Sequence, residues 1–275
     1  MQTKDITFVI VTFHSEEVIF DCLELLPKDS KKIIIENSKN SDLKNTLEKK
    51  YSNLKCFLMD ENLGYGKANN VGINFSHTEF VFILNPDVRF KPYDLSQFLK
   101  IVSGQNFVIA APVEKEAFQF SLNQKSFEDV NHVKGFAMLL NKKSLNKEYF
   151  DENIFLYLEE IDLCKRVKDK KGRILKVNVP VMHLGGSSHG DRENFEMEKS
   201  RNWHWMWSKF YYEKKHYGYL SGLVSTLPSF LSSLVKCLFY SFVMNKVKKN
   251  IYKMRFLGLL NSYLMKKSSY RPNFK

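Results

Sequence analysis

At 275 residues and 44% hydrophobic content, the chain fits a globular protein with room for one large domain and an appendage. Its four cysteines, Cys22, Cys56, Cys164 and Cys237, are scattered without a C-x-x-C pair, which argues against a zinc site or a disulfide framework and suits a reducing cytosol. The net charge of +12 is uneven: residues 199–275 hold 15 of the 42 Lys and Arg but a single acid, Glu213, whereas residues 1–198 hold 27 basic and 29 acidic residues, so a nearly neutral body carries a tail suited to an anionic surface, membrane or nucleic acid.

Ile6–Thr12 is β-branched and apolar and predicts a buried first strand; its run to Phe13 is too short for the apolar region of a signal peptide. A helix is expected from about Glu17 to Leu26, a second strand at Lys32–Glu36, and a polar helix from Asp42 to Tyr51. Leu54–Met59 predicts a third strand, Gly64–Phe75 a loop and helix, and Phe80–Leu84 a fourth strand covered on both faces. Asn85-Pro86 stops that strand, because proline lacks the ladder N–H and restricts the residue before it. Strands alternating with helices predict a parallel α/β sheet with its polar strand tips at one edge. A helix at Asp94–Val102 and strands at Phe107–Pro112, Val133–Asn141 and Ile174–Pro180 follow. Glu114–Val130 is polar and gives no clear period. A helix in 150–172 carries Leu158, Ile161, Cys164 and Val167 at every third position, with Gly172 as its C-terminal cap.

Four features point to chemistry. Asp87 falls just past the carboxyl end of the fourth strand, where open α/β sheets keep ligands and where a carboxylate can hold a divalent metal against a diphosphate; Asn-Pro-Asp also fits an ordinary turn. Gly64-Tyr65-Gly66 is a glycine-bearing loop whose two glycines, one residue apart, by themselves fit a tight turn. Glu159, Glu160 and Asp162 sit at a helix start, where the dipole favours acids, and Asp162 is spaced to pair with Arg166 on a solvated face. The apolar run Ile154–Leu158 before them would partly bury a carboxylate and raise its pKa toward that of a general base. His183 follows the last strand and precedes a Gly-Gly-Ser-Ser loop; it fits a structural role or a neutral metal ligand beside Asp87.

The tail is aromatic and basic. Phe195–Gly218 predicts a helix with Trp203, Trp207 and Phe210 on one stripe, which suits packing on the body. Leu220–Met244 is long enough to span a bilayer, but Pro228, Lys236 and its Ser and Thr residues favour lying in the interface. A basic cluster from Lys246 to Arg255 and an apolar stretch from Phe256 to Met265 complete a pattern suited to attachment at an anionic leaflet, with Trp and Tyr at headgroup depth.

The order of VTF, ENS, ENLGYGKANN, LNPDV, KGFAMLL, FLYLEEIDLCKR and MHLGGSS closely resembles the large inverting glycosyltransferase family with the GT-A fold, nearest to bacterial rhamnosyltransferases of cell-wall and O-antigen assembly. The resemblance covers about residues 5–218. It implies a Rossmann-like, mostly parallel sheet flanked by helices over residues 1–198, and leaves 199–275 as a helical, membrane-associating extension. It implies that Thr12, Glu36, Asn37, Gly64, Gly66 and Asn69 hold the nucleotide of a sugar donor, with Asn85 and Asp87 at the family's D-x-D element. Gly135 and Phe136 would border the acceptor pocket, Glu160 would be the catalytic base with Glu159 beside it, and His183 would complete an Mg²⁺ or Mn²⁺ site with Asp87. Glu36 and Glu160 depart from the more usual Asp by one methylene each. A metal opposing the charge of the nucleoside diphosphate leaving group, and a carboxylate taking the acceptor proton on the opposite face of the sugar, would invert the anomeric centre in one displacement.

The expected partners are a nucleotide-sugar donor, possible in deoxythymidine-diphosphate-rhamnose or uridine-diphosphate form, a glycan or polyprenyl-diphosphate-linked acceptor, and the inner face of the cell membrane. Nucleic acid is not expected, because the long apolar run in the tail suits it poorly. The rival readings are a nucleic-acid binder using the tail, a nucleotidyltransferase, and an inactive scaffold of the same fold. VTFHSEE lacks the Gly-rich basic loop of a nucleotidyltransferase, and the presence of Asp87, Glu160 and His183 argues against a scaffold.

Overall fold

A computed structural model describes residues 1–118, 125–185 and 191–272. The first half follows the apolar runs. Strands β1 (Ile6–Thr12), β2 (Lys31–Glu36), β3 (Leu54–Leu58) and β4 (Phe80–Leu84) alternate with α1 (Glu16–Glu24), α2 (Ser41–Lys50) and α3 (Tyr65–Phe75). They pair in parallel in the order β3-β2-β1-β4. Every residue of β1 is buried, and its alternating side chains feed two cores. Phe8 and Ile10 join Ile34, Phe82 and Phe98 on one face, while Val9 and Val11 join Ile35, Ile83 and Leu140 on the other. Continuous apolar strands are the consequence of having helices over both faces.

Past β4 the sheet becomes mixed. The remaining elements are β5 (Val88–Arg89), α4 (Pro92–Val102), β6 (Ile109–Glu114), β7 (Phe127–Asp129), β8 (Ala137–Asn141), α5 (Lys142–Leu145), α6 (Glu159–Asp169) and β9 (Ile174–His183). The strand order is β3-β2-β1-β4-β8-β6-β9-β5, with β7 on β9. Strand β8 runs antiparallel to both β4 and β6, whereas β6 and β9 are parallel. The parallel character therefore holds through β4 and is diluted beyond it. Strand direction depends on where a connection delivers the chain, which apolar runs do not encode.

Two further details depart from the sequence reading. The buried face of α6 is Asp162, Leu163, Cys164 and Val167, with Leu158 and Ile161 only half-buried. An every-third pattern drifts around a helix of 3.6 residues per turn, so Leu163 takes the inward place. The predicted strand over 133–141 begins only at Ala137, because Gly135 and Phe136 form a turn at its mouth. Of the Gly-Gly-Ser-Ser loop, Gly186, Ser187 and Ser188 lie outside the described residues.

The chain forms two compact units: Met1–Asp151 with Glu160–Ser188, and Glu152–Glu159 with His189–Lys275. The second unit therefore begins before residue 199 and includes a segment of the loop ahead of α6. Its helices are α7 (Asp191–Tyr217), α8 (Tyr219–Phe242) and α9 (Lys246–Tyr263). Gly218, at φ +92°, makes the turn between α7 and α8 in the left-handed region that favours glycine. The basic cluster and most of the apolar stretch after Asn245 lie on one helix, α9. Trp203, Trp207 and Phe210 are buried inside this unit, so the headgroup depth expected for the tryptophans does not apply to them. Trp205 is partly exposed and meets the Tyr157 ring edge-on.

The seam between these helices uses small residues. Gly222, Thr226 and Ser233 of α8 and Gly258, Leu259 and Ser262 of α9 are buried. A side-chain carbon on Gly258 would overlap the Trp203 carbonyl, so α7 and α9 approach closely only because that position is glycine. The apolar residues of α8 that recur at helical spacing, Leu220, Val224, Leu227, Leu231, Val235, Leu238 and Phe242, are exposed. The helix thus keeps its small polar stripe inside and its large apolar stripe outside, the reverse of a water-facing helix.

Candidate active site

The strand tips are organised around two buried polar side chains. The Glu36 carboxylate, fully buried, accepts from the Thr12 hydroxyl at 2.6 Å, the Ser38 N–H at 2.6 Å, the Ser38 hydroxyl and the Asn40 N–H. Its oxygens face inward and tie the end of β1 to the turn after β2. Asn37 does the same for the next loop. Its amide donates to Asn62 Oδ1 and the Gly64 carbonyl, and its oxygen accepts from the Leu63 N–H. Gly64 stands at φ +80° as the N-cap of α3, where any side chain would be strained. Gly66 and Asn69 are buried in the first turns of that helix. Asn69 donates to the Tyr65 carbonyl at 3.0 Å, and its Oδ1 has no hydrogen-bond partner among the described residues.

From α3 the contacts run directly to the acidic helix. The Tyr65 hydroxyl donates to the Gly135 carbonyl at 2.8 Å. A Cβ placed on Gly135 would stand 3.3 Å from the Glu160 Cβ and 3.4 Å from its Cγ. Gly135 is therefore the floor on which the Glu160 side chain rests. Burial raises the Glu160 carboxyl above its ordinary value, opposed in part by hydrogen bonds from the N–H groups of Glu160 and Ile161 at the helix start. Glu159 is buried beside it in sequence. Asp162 is fully buried and pairs with the Arg166 Nε at 2.9 Å, so the expected solvated pair is an internal one. Arg166 also donates to the carbonyls of Glu148 and Tyr149, and Asn70 clamps Phe150 through two backbone hydrogen bonds. Asp162 is thus a structural acid that fixes the loop facing α3.

The metal-type residues gather at the ends of β4 and β9. Asp87 is buried, and its Oδ1 lies 3.3 Å from the His183 Nε2. Asn85 Nδ2 is 3.4 Å from the same nitrogen, and Asn85 Oδ1 is buried without a hydrogen-bond partner among the described residues. The Asn85 N–H donates to the Phe136 carbonyl at 2.8 Å, and the Phe136 ring stacks on His183 with centroids 4.6 Å apart. Phe136 is therefore buried as a platform for His183.

A residue absent from the sequence reading joins here: Glu114, at the end of β6, lies with Oε1 3.4 Å from His183 Nδ1 and its other oxygen paired with Lys134. An isolated acid at the edge of a patternless stretch carried no signal. Burial alone would lower the His183 pKa, but Asp87 and Glu114 outweigh it and raise it. Lys134 in turn holds the Glu114 carboxyl below its ordinary range.

The site thus carries oxygen and imidazole donors, one of them an orphaned buried amide oxygen, which is a donor set that fits a divalent cation. Asp87 and His183 come together here, Oδ1 3.3 Å from Nε2. Among the described residues no group of three or more His, Cys, Asp and Glu is arranged to hold a metal, so the remaining positions would fall to Asn85, water or substrate oxygens.

The sequence model of glycosyl transferase family 2 matches residues 7–162, more than half of the chain. The chain is similar to the low-salt glycan biosynthesis hexosyltransferase Agl10 of Haloferax volcanii, at 23% identity over 60% of this chain and 62% of that protein, less than two thirds of its length. It is 24% identical to the rhamnosyltransferase WbbL of Escherichia coli K12, covering 71% of this chain and 88% of that one. The solved mannosyltransferase PcManGT from Pyrobaculum calidifontis, in complex with GDP-Man and Mn²⁺, superposes with a TM-score of 0.60 at 12% identity, covering 96% of this chain and 88% of that one. At such identity the likeness is one of fold, and it agrees with the expected GT-A architecture.

Proposed function

The chain belongs to glycosyl transferase family 2, and from that premise we propose that it moves a sugar from a nucleotide-diphosphate donor to a glycan hydroxyl with inversion, in the synthesis of a surface polysaccharide. The observation that carries this reading is the unbroken line of contacts in the first unit. It runs from Thr12, Glu36 and Asn37 through Gly64 and Tyr65 to Gly135 and Glu160, and from Gly135-Phe136 to Asn85, His183 and Asp87. Thr12, Asn37 and the α3 entrance shape the nucleotide end, with Glu36 acting by ordering them. Asp87, His183 and Asn85 would hold Mg²⁺ or Mn²⁺, which supplies positive charge to a departing diphosphate. Glu160 takes the proton of the acceptor hydroxyl while that oxygen bonds to the anomeric carbon and the bond to the diphosphate oxygen breaks on the opposite face. A raised carboxyl pKa makes Glu160 the better base, and Gly135 leaves its side chain room.

A thermal-shift series with nucleoside diphosphates, with and without Mn²⁺, tests the donor site. Stabilisation by one base that needs the metal and disappears in Asp87→Ala supports it and selects donors, with deoxythymidine-diphosphate-rhamnose first, given the likeness to a rhamnosyltransferase. A folded sample that responds to no nucleotide refutes it.

We further propose that the second unit attaches the enzyme to an anionic membrane leaflet, where a polyprenyl-diphosphate-linked acceptor would be met from the cytoplasmic side. The outward apolar stripe of α8 ends in Phe242, 86% exposed, and Met244, 85% exposed, beside the exposed Lys246 and Lys248. Helix α8 is also long and apolar enough to cross a bilayer, at 24 residues and a mean hydropathy of 1.4. Lys236 amid the exposed stripe favours the interfacial placement. Deleting residues 220–275 would strip α9 from the buried tryptophans, so the clean perturbation is Leu231→Glu with Leu238→Glu. Flotation with vesicles containing anionic lipid should be lost in that variant and weakened by salt; unchanged flotation refutes the attachment.

A further inference from the structure

Glu114 lies outside the motifs of the sequence and behind the His183 ring. The two ring nitrogens face different carboxylates: Nε2 is 3.3 Å from Asp87 Oδ1, and Nδ1 is 3.4 Å from Glu114 Oε1. Glu114 therefore cannot share a ligand position with Asp87 through this ring. Its place is set by a register shift in the pairing of β6 with β9. Pro112 faces Val177, but Val113 faces Pro180 and Glu114 faces Val181, so two extra β9 residues are absorbed just before the tip. Such irregularities re-aim side chains at strand ends. The far oxygen of Glu114 is paired with Lys134, on the turn that leads to Gly135 and Phe136. Phe136 stacks on the face of the His183 ring. The ring is thus fixed by a carboxylate at one edge and an aromatic plate on one side, with its Nε2 edge left toward Asp87 and the orphaned Asn85 oxygen.

We propose that Glu114 is a positioning residue for the metal centre: it accepts the Nδ1–H of His183 and so keeps the Nε2 lone pair directed at the site formed with Asp87. The inference rests on the donor-site reading above. A histidine ligand whose second nitrogen is held by a carboxylate has a defined tautomer and orientation, and removing such a partner costs roughly ten- to a hundredfold in metal affinity. Lys134 pairs with the other Glu114 oxygen and so holds the carboxylate in place behind the ring.

Binding of Mn²⁺ alone to the full chain, read as loss of the free-ion electron paramagnetic resonance signal, tests it. Glu114→Ala should weaken binding about ten- to a hundredfold, and Glu114→Gln, whose amide oxygen still accepts, should recover most of it. Asp87→Ala should abolish it. Nitrogen-15 shifts of the His183 ring in the unaltered protein, at a pH where it is neutral, should show the proton on Nδ1, a readout independent of how the variants fold. Mn²⁺ binding in Glu114→Ala equal to that of the unaltered protein, or a proton on Nε2, overturns the role of Glu114 while leaving the metal site standing. Absence of Mn²⁺ binding in the unaltered protein overturns the metal reading itself.

Discussion

His204 makes the stability of the second unit depend on pH in a way that can be worked from its surroundings. The ring is fully buried on α7, 4.4 Å from the Phe155 ring, with Nε2 donating to the Tyr270 carbonyl and Nδ1 accepting from the Ser268 hydroxyl, each at 2.9 Å. Burial pushes its pKa from 6.5 down to about 3; the Tyr270 carbonyl opposes the shift and the Arg271 charge adds to it. The unfolded chain therefore takes up a proton first. The stability that neutral His204 confers is complete above pH 6.5 and is lost as pH falls from there toward 3. At one pKa unit per 1.36 kcal/mol, the loss is about 2 kcal/mol at pH 5 and about 4 kcal/mol at pH 3. All three tryptophans, Trp203, Trp205 and Trp207, lie on α7, so their emission reports on this unit alone. Urea unfolding followed by that emission at pH 7 and pH 5 should show the unaltered protein losing about 2 kcal/mol more than His204→Gln, which cannot take up the proton. Equal losses in the two proteins would refute the assignment of a buried neutral ring.

Other consequences concern the site and its supports. Gly135→Ala should lower kcat by about ten- to a hundredfold with little change in Tm, because the added methyl displaces Glu160 by a fraction of an ångström and no other contact is lost; steady-state rates and melting curves separate the two effects. The acid limb of kcat/KM should have its midpoint above 4.5, the ordinary glutamate value, with activity present above it and lost below as Glu160 gains its proton. Glu160→Gln should remove that limb and cost about 10²- to 10⁴-fold in rate. Arg166→Met removes the ion pair to the fully buried Asp162 and the ties to the Glu148 and Tyr149 carbonyls, and should destabilise the first unit by about 3–5 kcal/mol, measured by chemical denaturation.

Much of the catalytic half was legible because its signals are local. Apolar runs of five to seven residues declare β1 and β4 wherever they pack, with Asn85-Pro86 stopping β4, and the ordered motifs from VTF to MHLGGSS carried the family and its candidate residues. Helical spacing of Trp203, Trp207 and Phe210 likewise located α7, while α8 was legible as a long apolar run and α9 only as a basic cluster followed by an apolar stretch. What a side chain does within the fold was another matter. Asp162 and Glu159 read alike as helix-start acids, yet only contacts from Arg166 and the 148–150 loop make Asp162 an internal brace. That the Phe136 ring stacks on His183 carried no signal in the sequence, because it arises where the entrance of β8 meets residues from the end of β9. Glu114 had no signal at all, because its meaning arises from a register shift between strands sixty residues apart. On α8 the sequence alone determined the amphipathic stripe, since helical spacing is a property of the chain. Which side of that stripe faces inward was decided by tertiary packing, where Gly222 and Gly258 allow close approach of backbones and leave the large apolar residues outside.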